Sequence, residues 1–117
     1  QAKDIKCKII DPNSGFIGVI AFSLNESKKT FKLFALDGTN QILADENYGI
    51  IYQFKNKEFK YNKNGNLVVV DIVNTESYAS KWRIALDMSS ASIILKSPDS
   101  EGWGTHNGRC ELMSNKL

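Results

Sequence analysis

The chain has 117 residues, of which 42% are hydrophobic and 24% charged, and its formal net charge at pH 7 is +2. This composition is ordinary for a soluble globular protein, and the length predicts a single β domain over residues 1–117. The small net charge and the presence of only two arginines disfavour a nucleic-acid partner, because such proteins use arginine to contact phosphates and bases. No stretch approaches the roughly 20 apolar residues that span a bilayer, so no transmembrane segment is predicted.

In the first third of the chain the pattern predicts three strands. Apolar and polar side chains alternate over residues 5–10, which predicts a strand. A turn that contains Pro and Gly ends this strand. Residues 16–24 are apolar on both faces, which predicts a central strand, and Gly18 within it predicts a bend or bulge. A polar turn at 25–29 precedes an alternating strand at 30–36.

The middle of the chain contains aromatic side chains at alternating positions. A turn at Asp37-Gly38 precedes a short predicted strand at 41–44. The aromatic side chains could pack in the core, form a protein-binding face or line an internal ligand cavity. The lysines among them could form a solvated strand edge or a binding surface for an acidic partner. The aromatics are Tyr48, Tyr52, Phe54, Phe59 and Tyr61, and the lysines are Lys55, Lys57, Lys60 and Lys63.

The last part of the chain predicts a hairpin and a long loop. A turn at residues 62–65, which contains Asn64-Gly65, is predicted to precede a β-branched strand at 66–73, and residues 81–86 and 91–97 are predicted to form the clearest hairpin. Residues 98–108 are predicted to be a glycine-rich loop, followed by a short strand that carries Cys110.

Together these signals predict an all-β fold. About eight short strands spaced about ten residues apart, with no βαβ unit, indicate a small antiparallel up-and-down β-barrel or a sandwich. In an up-and-down barrel the first and last strands are neighbours.

The two cysteines, Cys7 and Cys110, lie near opposite ends of the chain, each in an alternating apolar segment. We therefore predict a Cys7–Cys110 disulfide at the closing seam of the barrel, with two unrelated buried thiols as the alternative. Disulfides persist in oxidising compartments, so the pair predicts a periplasmic or secreted protein. The start Gln1-Ala2-Lys3 is what a removed leader would leave, and a lipid anchor upstream stays open.

No catalytic or cofactor-binding constellation is evident in the sequence. His106 is the only histidine, which disfavours a zinc site, and oxidation of Cys110 would exclude a cysteine nucleophile beside it. Calcium-loop spacing, a phosphate-binding glycine loop and a nucleophile elbow are not found. We expect a protein that is not an enzyme and that holds no cofactor or metal.

The segment 99–109 has the most unusual composition in the chain. It combines an aromatic residue, the only histidine, acids and an arginine with several glycines, as functional loops on rigid β scaffolds do. The alternative is that its glycines form turns, Trp103 closes one end of the barrel and its charges are solvated. The predicted partner-binding residues are Glu101, Trp103, His106 and Arg109, together with Tyr48 and Tyr52.

Because no catalytic constellation is evident, we consider two non-enzymatic functions. The first is a protein that binds and blocks another protein, as an inhibitor of an envelope lytic enzyme or an immunity protein does. The second is a carrier of a small apolar ligand inside a calycin-like barrel, in a cavity lined by residues such as Phe16, Phe22 and Phe34.

Overall fold

The computed structural model describes residues 2–11, 15–34, 56–73, 81–96 and 105–113. This part of the chain contains nine antiparallel strands and no helix. The strands are β1 (Ala2–Asp11), β2 (Gly15–Asn25), β3 (Thr30–Phe34), β4 (Glu58–Lys60), β5 (Asn62–Asn64), β6 (Leu67–Val73), β7 (Lys81–Asp87), β8 (Ser92–Lys96) and β9 (Thr105–Leu112).

The nine strands form one sheet that curls into a nearly closed barrel. Its order is β4-β3-β2-β1-β9-β8-β7-β6-β5. The two outermost strands, β4 and β5, are separated only by Tyr61, so the chain passes directly from one edge of the sheet to the other. The predicted up-and-down barrel, with its first and last strands as neighbours, is confirmed.

The predicted disulfide is present at the junction of β1 and β9. Cys7 and Cys110 lie directly opposite each other, with 4.0 Å between their Cα atoms, and their sulfur atoms are bonded. The backbone N–H of Cys110 donates to the carbonyl oxygen of Ala91 on the other side of β9. The two cysteines therefore form a non-hydrogen-bonded pair of the β1–β9 ladder, the type in which Cα atoms approach most closely.

The core consists of inward-facing side chains from both sides of this junction. The strands alternate between buried and outward positions, as a half-buried strand requires. Trp82 is the largest fully buried side chain, and the Phe22 and Phe31 rings pack with centroids 4.8 Å apart. Further buried apolar residues include Ile5, Ile9, Ile20, Leu24, Leu33, Val68, Val70, Ile72, Ile84, Leu86, Ile93 and Leu95.

Gly18 lies at the predicted irregularity. The β1–β2 register shifts between Ile9 and Ile10, directly beside Gly18, whose φ of 153° is one that other residues rarely adopt. The bulge bends β2 where the sheet curves into the barrel.

The structure differs from the sequence-based expectation at β9. The segment predicted to be a loop up to residue 108 is already a strand from Thr105 onward. Thr105–Gly108 pairs with β8, and Asn107 and Gly108 also pair with β1. Ladder hydrogen bonds on both sides outweigh the weak strand preference of a glycine-containing segment. Residues 62–64, predicted to belong to a turn, form the strand β5, and the turn to β6 comprises residues 65–66. The strand expected at 41–44 lies outside the described residues.

The inward position of Gly108 leaves no room for a side chain. A Cβ there would overlap the backbone carbonyl oxygen of Lys8 and lie 2.9 Å from Ile9 Cδ1 and 3.0 Å from Ile93 Cγ2. The barrel interior is filled at this level by the two isoleucines. β1 and β9 can pair here only if this residue is glycine.

We predict that Gly108→Ala destabilises the fold by about 2–3 kcal/mol, because a backbone atom cannot rotate away from the added methyl group. The free energy of unfolding is measured by urea denaturation. Thr105→Ser, at an exposed position of the same strand, is the control and should change stability by less than about 0.5 kcal/mol. A Gly108→Ala variant as stable as this control would contradict the packing described.

We predict that reduction adds two hydrogens to the mass of the protein, and that removal of the disulfide destabilises it by about 3–5 kcal/mol. The bond joins residues 103 positions apart, so it restrains most of the unfolded chain. Cys7→Ala/Cys110→Ala should unfold at the same denaturant concentration as the reduced wild type. An unchanged mass on reduction would show that the bond is absent.

Candidate protein-binding face

The structure describes two of the six predicted partner-binding residues. Tyr48, Tyr52, Glu101 and Trp103 lie outside the described residues. His106 and Arg109 both lie on β9, but an odd number of positions separates them, so they lie on opposite faces of the sheet. They therefore cannot belong to one projecting loop.

His106 faces the barrel interior. Its side chain lies opposite Leu95 of β8, and the residue is only 4% exposed. Neither ring nitrogen has a hydrogen-bond partner within the described residues. A buried imidazole without partners is costly to desolvate, and a partner docked on the outside of the sheet would not touch it.

Two residues of the predicted aromatic cluster, Phe59 and Tyr61, pack in or against the core of the barrel. Tyr61 is buried in the core, and Phe59 packs against the core opposite Phe31 on β3. Burial, and secondarily the charge of Glu26, raise the pKa of Tyr61. These two aromatics fill the barrel at the crossing from β4 to β5.

Arg109 is exposed on the outer face of β9, directly opposite Lys8 of β1. Neither cation forms a salt bridge with a described residue. Like charges directly opposite each other on neighbouring strands destabilise a sheet. The nearby carboxylate of Asp87 is engaged in its own turn, where hydrogen bonds from Ser89 hold its pKa below the usual value.

Two other outward cations each have an acid directly opposite on a neighbouring strand. Arg83 lies opposite Asp71, and two hydrogen bonds of 2.7 and 3.0 Å join the guanidinium to the carboxylate. These hydrogen bonds, and then the charge of Asp71, raise the pKa of Arg83. Lys6 lies opposite Glu111 with 3.7 Å between Nζ and Oε2, one residue along from the disulfide. Lys96 also lies opposite Arg83, but Arg83 has Asp71 on its other side. Lys8 and Arg109 differ from this pair because neither has an acid directly opposite on any neighbouring strand.

An exposed apolar row lies beside the two cations. Ile10 of β1 and Ile94 of β8 both lie opposite Asn107 of β9, and they are 44% and 45% exposed. Adjacent strands are about 4.8 Å apart, which places the backbones of the two isoleucines about 10 Å apart, on either side of Asn107. We call the outward side chains of Lys8, Ile10, Ile94, Asn107 and Arg109 the seam face.

Arg109 is the only residue of the seam face among the predicted partner-binding residues. A signal for the isoleucines was nevertheless present, because Ile9-Ile10 and Ile93-Ile94 are adjacent pairs within strands. In a half-buried strand only one member of such a pair can face the core. No comparable signal existed for Lys8, whose position opposite Arg109 depends on the pairing of the first strand with the last.

Comparison with known proteins places no further constraint on the function. No protein-family model, no curated protein and no solved structure matches this chain significantly. Among the described residues, no group of three or more His, Cys, Asp or Glu side chains could hold a metal ion.

We predict that Arg109→Glu stabilises the fold by roughly 0.2–1 kcal/mol at low salt, because it places an acid opposite Lys8. The gain should shrink as salt screens the exposed pair. Lys6→Glu is the matched control on the same two strands: it places a second acid opposite Glu111 and should destabilise the protein. Thermal unfolding at low and high salt measures both changes, and a loss of stability in Arg109→Glu would show that the two cations do not repel.

Proposed function

We propose that this chain is an exported, non-enzymatic binding protein that binds and blocks another protein, in the manner of an inhibitor or an immunity protein. The observation that carries the proposal is the seam face. There, two exposed isoleucines lie beside a cation pair that the fold leaves without acidic partners among the described residues. A local departure from stabilising charge placement is typical of functional surfaces.

The chemistry of the seam face suits a protein partner. Protein interfaces combine a small apolar centre with a polar rim, and arginine is among the residues that contribute most to binding. The side chains of the seam face extend from paired strands beside the disulfide, so binding would order little backbone. A rigid surface of this kind favours tight binding over adaptation to many ligands.

Export is supported by the disulfide. The Cys7–Cys110 bond is compatible with a periplasmic or extracellular location, where such bonds persist. Within the described residues no helix has the length and apolar character needed to cross a membrane.

The second candidate is a carrier of a small apolar ligand, and one observation favours it. The unpartnered ring nitrogens of His106 would accept hydrogen bonds from, or donate them to, a ligand in the interior. Two other observations disfavour it. The interior is filled around Gly108, and Phe34, expected to line a cavity, lies on the face opposite to the buried Leu33. Phe22 faces the interior but packs against Phe31.

The experiment uses the oxidised protein as bait against the envelope fraction of its source organism. We expect a single stoichiometric protein partner, whose purified activity the barrel then inhibits at a one-to-one ratio. Alanine at Trp103, which lies outside the described residues, tests whether the 99–109 segment also contributes. Lys28→Gln, in an exposed turn, is the control for a surface substitution outside this segment and should capture the partner as the wild type does.

Two results would reject the proposal. The first is capture of no partner by the folded protein. The second is a partner whose activity is unchanged on binding. A small apolar molecule that co-purifies and is released by organic extraction would instead support the carrier.

A further inference from the structure

We propose that the seam face recognises a carboxylate of the partner protein together with an apolar side chain next to it. This inference rests on the proposed function and specifies the chemistry of its partner. Lys8 and Arg109 would hold the carboxylate between them, and Ile10 and Ile94 would contact the apolar side chain above Asn107.

The two cations of the seam face favour a carboxylate as the group that it binds. Lys8 and Arg109 face the same side from directly opposed positions, and no described acid pairs with either. A guanidinium can bind both oxygens of one carboxylate in a planar fork, while an ammonium adds a compact second charge. A bound carboxylate would convert the repulsion between the two cations into two attractions. This repulsion gives the face a preference for an anionic group.

The register of β1, β9 and β8 places the two exposed isoleucines next to the two cations. Ile10 follows Lys8 by two residues on β1, and Asn107 precedes Arg109 by two residues on β9, so the apolar row lies about 7 Å from the cation row. The same spacing separates residues i and i+2 on one face of a strand. An acidic and an apolar residue placed in this way on the partner would match both rows together.

Charge also decides against a second copy of this chain as the occupant. A twofold contact through the seam face would bring two Lys8–Arg109 pairs together, and like charges across an interface are unfavourable. A nucleic-acid partner is disfavoured because the other arginine of the chain, Arg83, is bound to Asp71. A partner with an acidic and apolar surface fits the face as it stands.

The test is an NMR titration of the isotope-labelled, oxidised protein with a short capped serine peptide that carries one glutamate and one leucine two positions apart. We expect amide shift changes centred on residues 8, 10, 94, 107 and 109. The glutamine and the alanine analogues of the peptide should each bind at least about fivefold more weakly, and about tenfold more salt should weaken the glutamate peptide. Inorganic phosphate and vesicles of phosphatidylglycerol are titrated in parallel.

The variant Lys8→Gln/Arg109→Gln should lose the peptide-induced shifts while its spectrum stays that of the folded barrel. The matched control is Lys57→Gln/Lys60→Gln, which removes the same charge from exposed positions on and beside β4 and should bind as wild type does. Loss of binding in this control in place of the seam-face variant would assign recognition to the other lysine run and overturn the inference.

Several other results would overturn it. These are equal binding of the glutamine peptide, tighter binding of phosphate or of anionic vesicles, self-association at the seam face, or no shift at peptide concentrations up to about 10 mM. The captured partner separates the two proposals. If Lys8→Gln/Arg109→Gln still captures and inhibits the same protein, the proposed function stands and the assignment of its site to the seam face fails.

Discussion

The pairing of the first strand with the last is the constraint on which this structure depends. Strand β1 carries the only hydrogen-bonded connection between the β2–β4 half of the described sheet and the half formed by β5–β9. The two halves also share one hydrophobic core, and the chain passes from one to the other at Tyr61. The Cys7–Cys110 bond lies in the middle of this junction and covalently holds two strands from opposite ends of the chain. Closure by such distant segments is entropically expensive in an unfolded chain, and the disulfide lowers that cost.

Close packing accompanies this closure. Gly108 faces inward between Ile9 and Ile93, and its missing side chain lets the first and last strands pair over a filled core. His106, two residues earlier on the same face, is the one inward position that holds an imidazole without described partners. The inward face of β9 thus contains a position without space for a side chain, Gly108, and a polar side chain, His106. Only His106 could form hydrogen bonds with a ligand in the interior.

The outside of the same junction carries the candidate binding face. Directly opposed strands bring Lys8 beside Arg109 and place Ile10 and Ile94 on either side of Asn107. An acid opposite either cation would make the isolated protein more stable. The presence of both cations is explained if a binding partner supplies the acidic group. Functional surfaces commonly retain arrangements that reduce the stability of the free protein.

The fold class, most strand positions and the disulfide could be predicted from the amino-acid pattern alone. Alternating apolar residues, polar turns and two cysteines in strand-like segments near the ends are local signals, and they sufficed for a barrel closed by its terminal strands. Local composition misled at residues 105–108, because the ladder bonds that make this segment a strand come from β8 and β1. Only the tertiary structure decided which member of each isoleucine pair faces outward, that His106 lies inside, and that Lys8 meets Arg109. These facts depend on strand register, and the register that brings Lys8 to Arg109 joins segments about 100 positions apart, so it leaves no mark in the sequence near either residue.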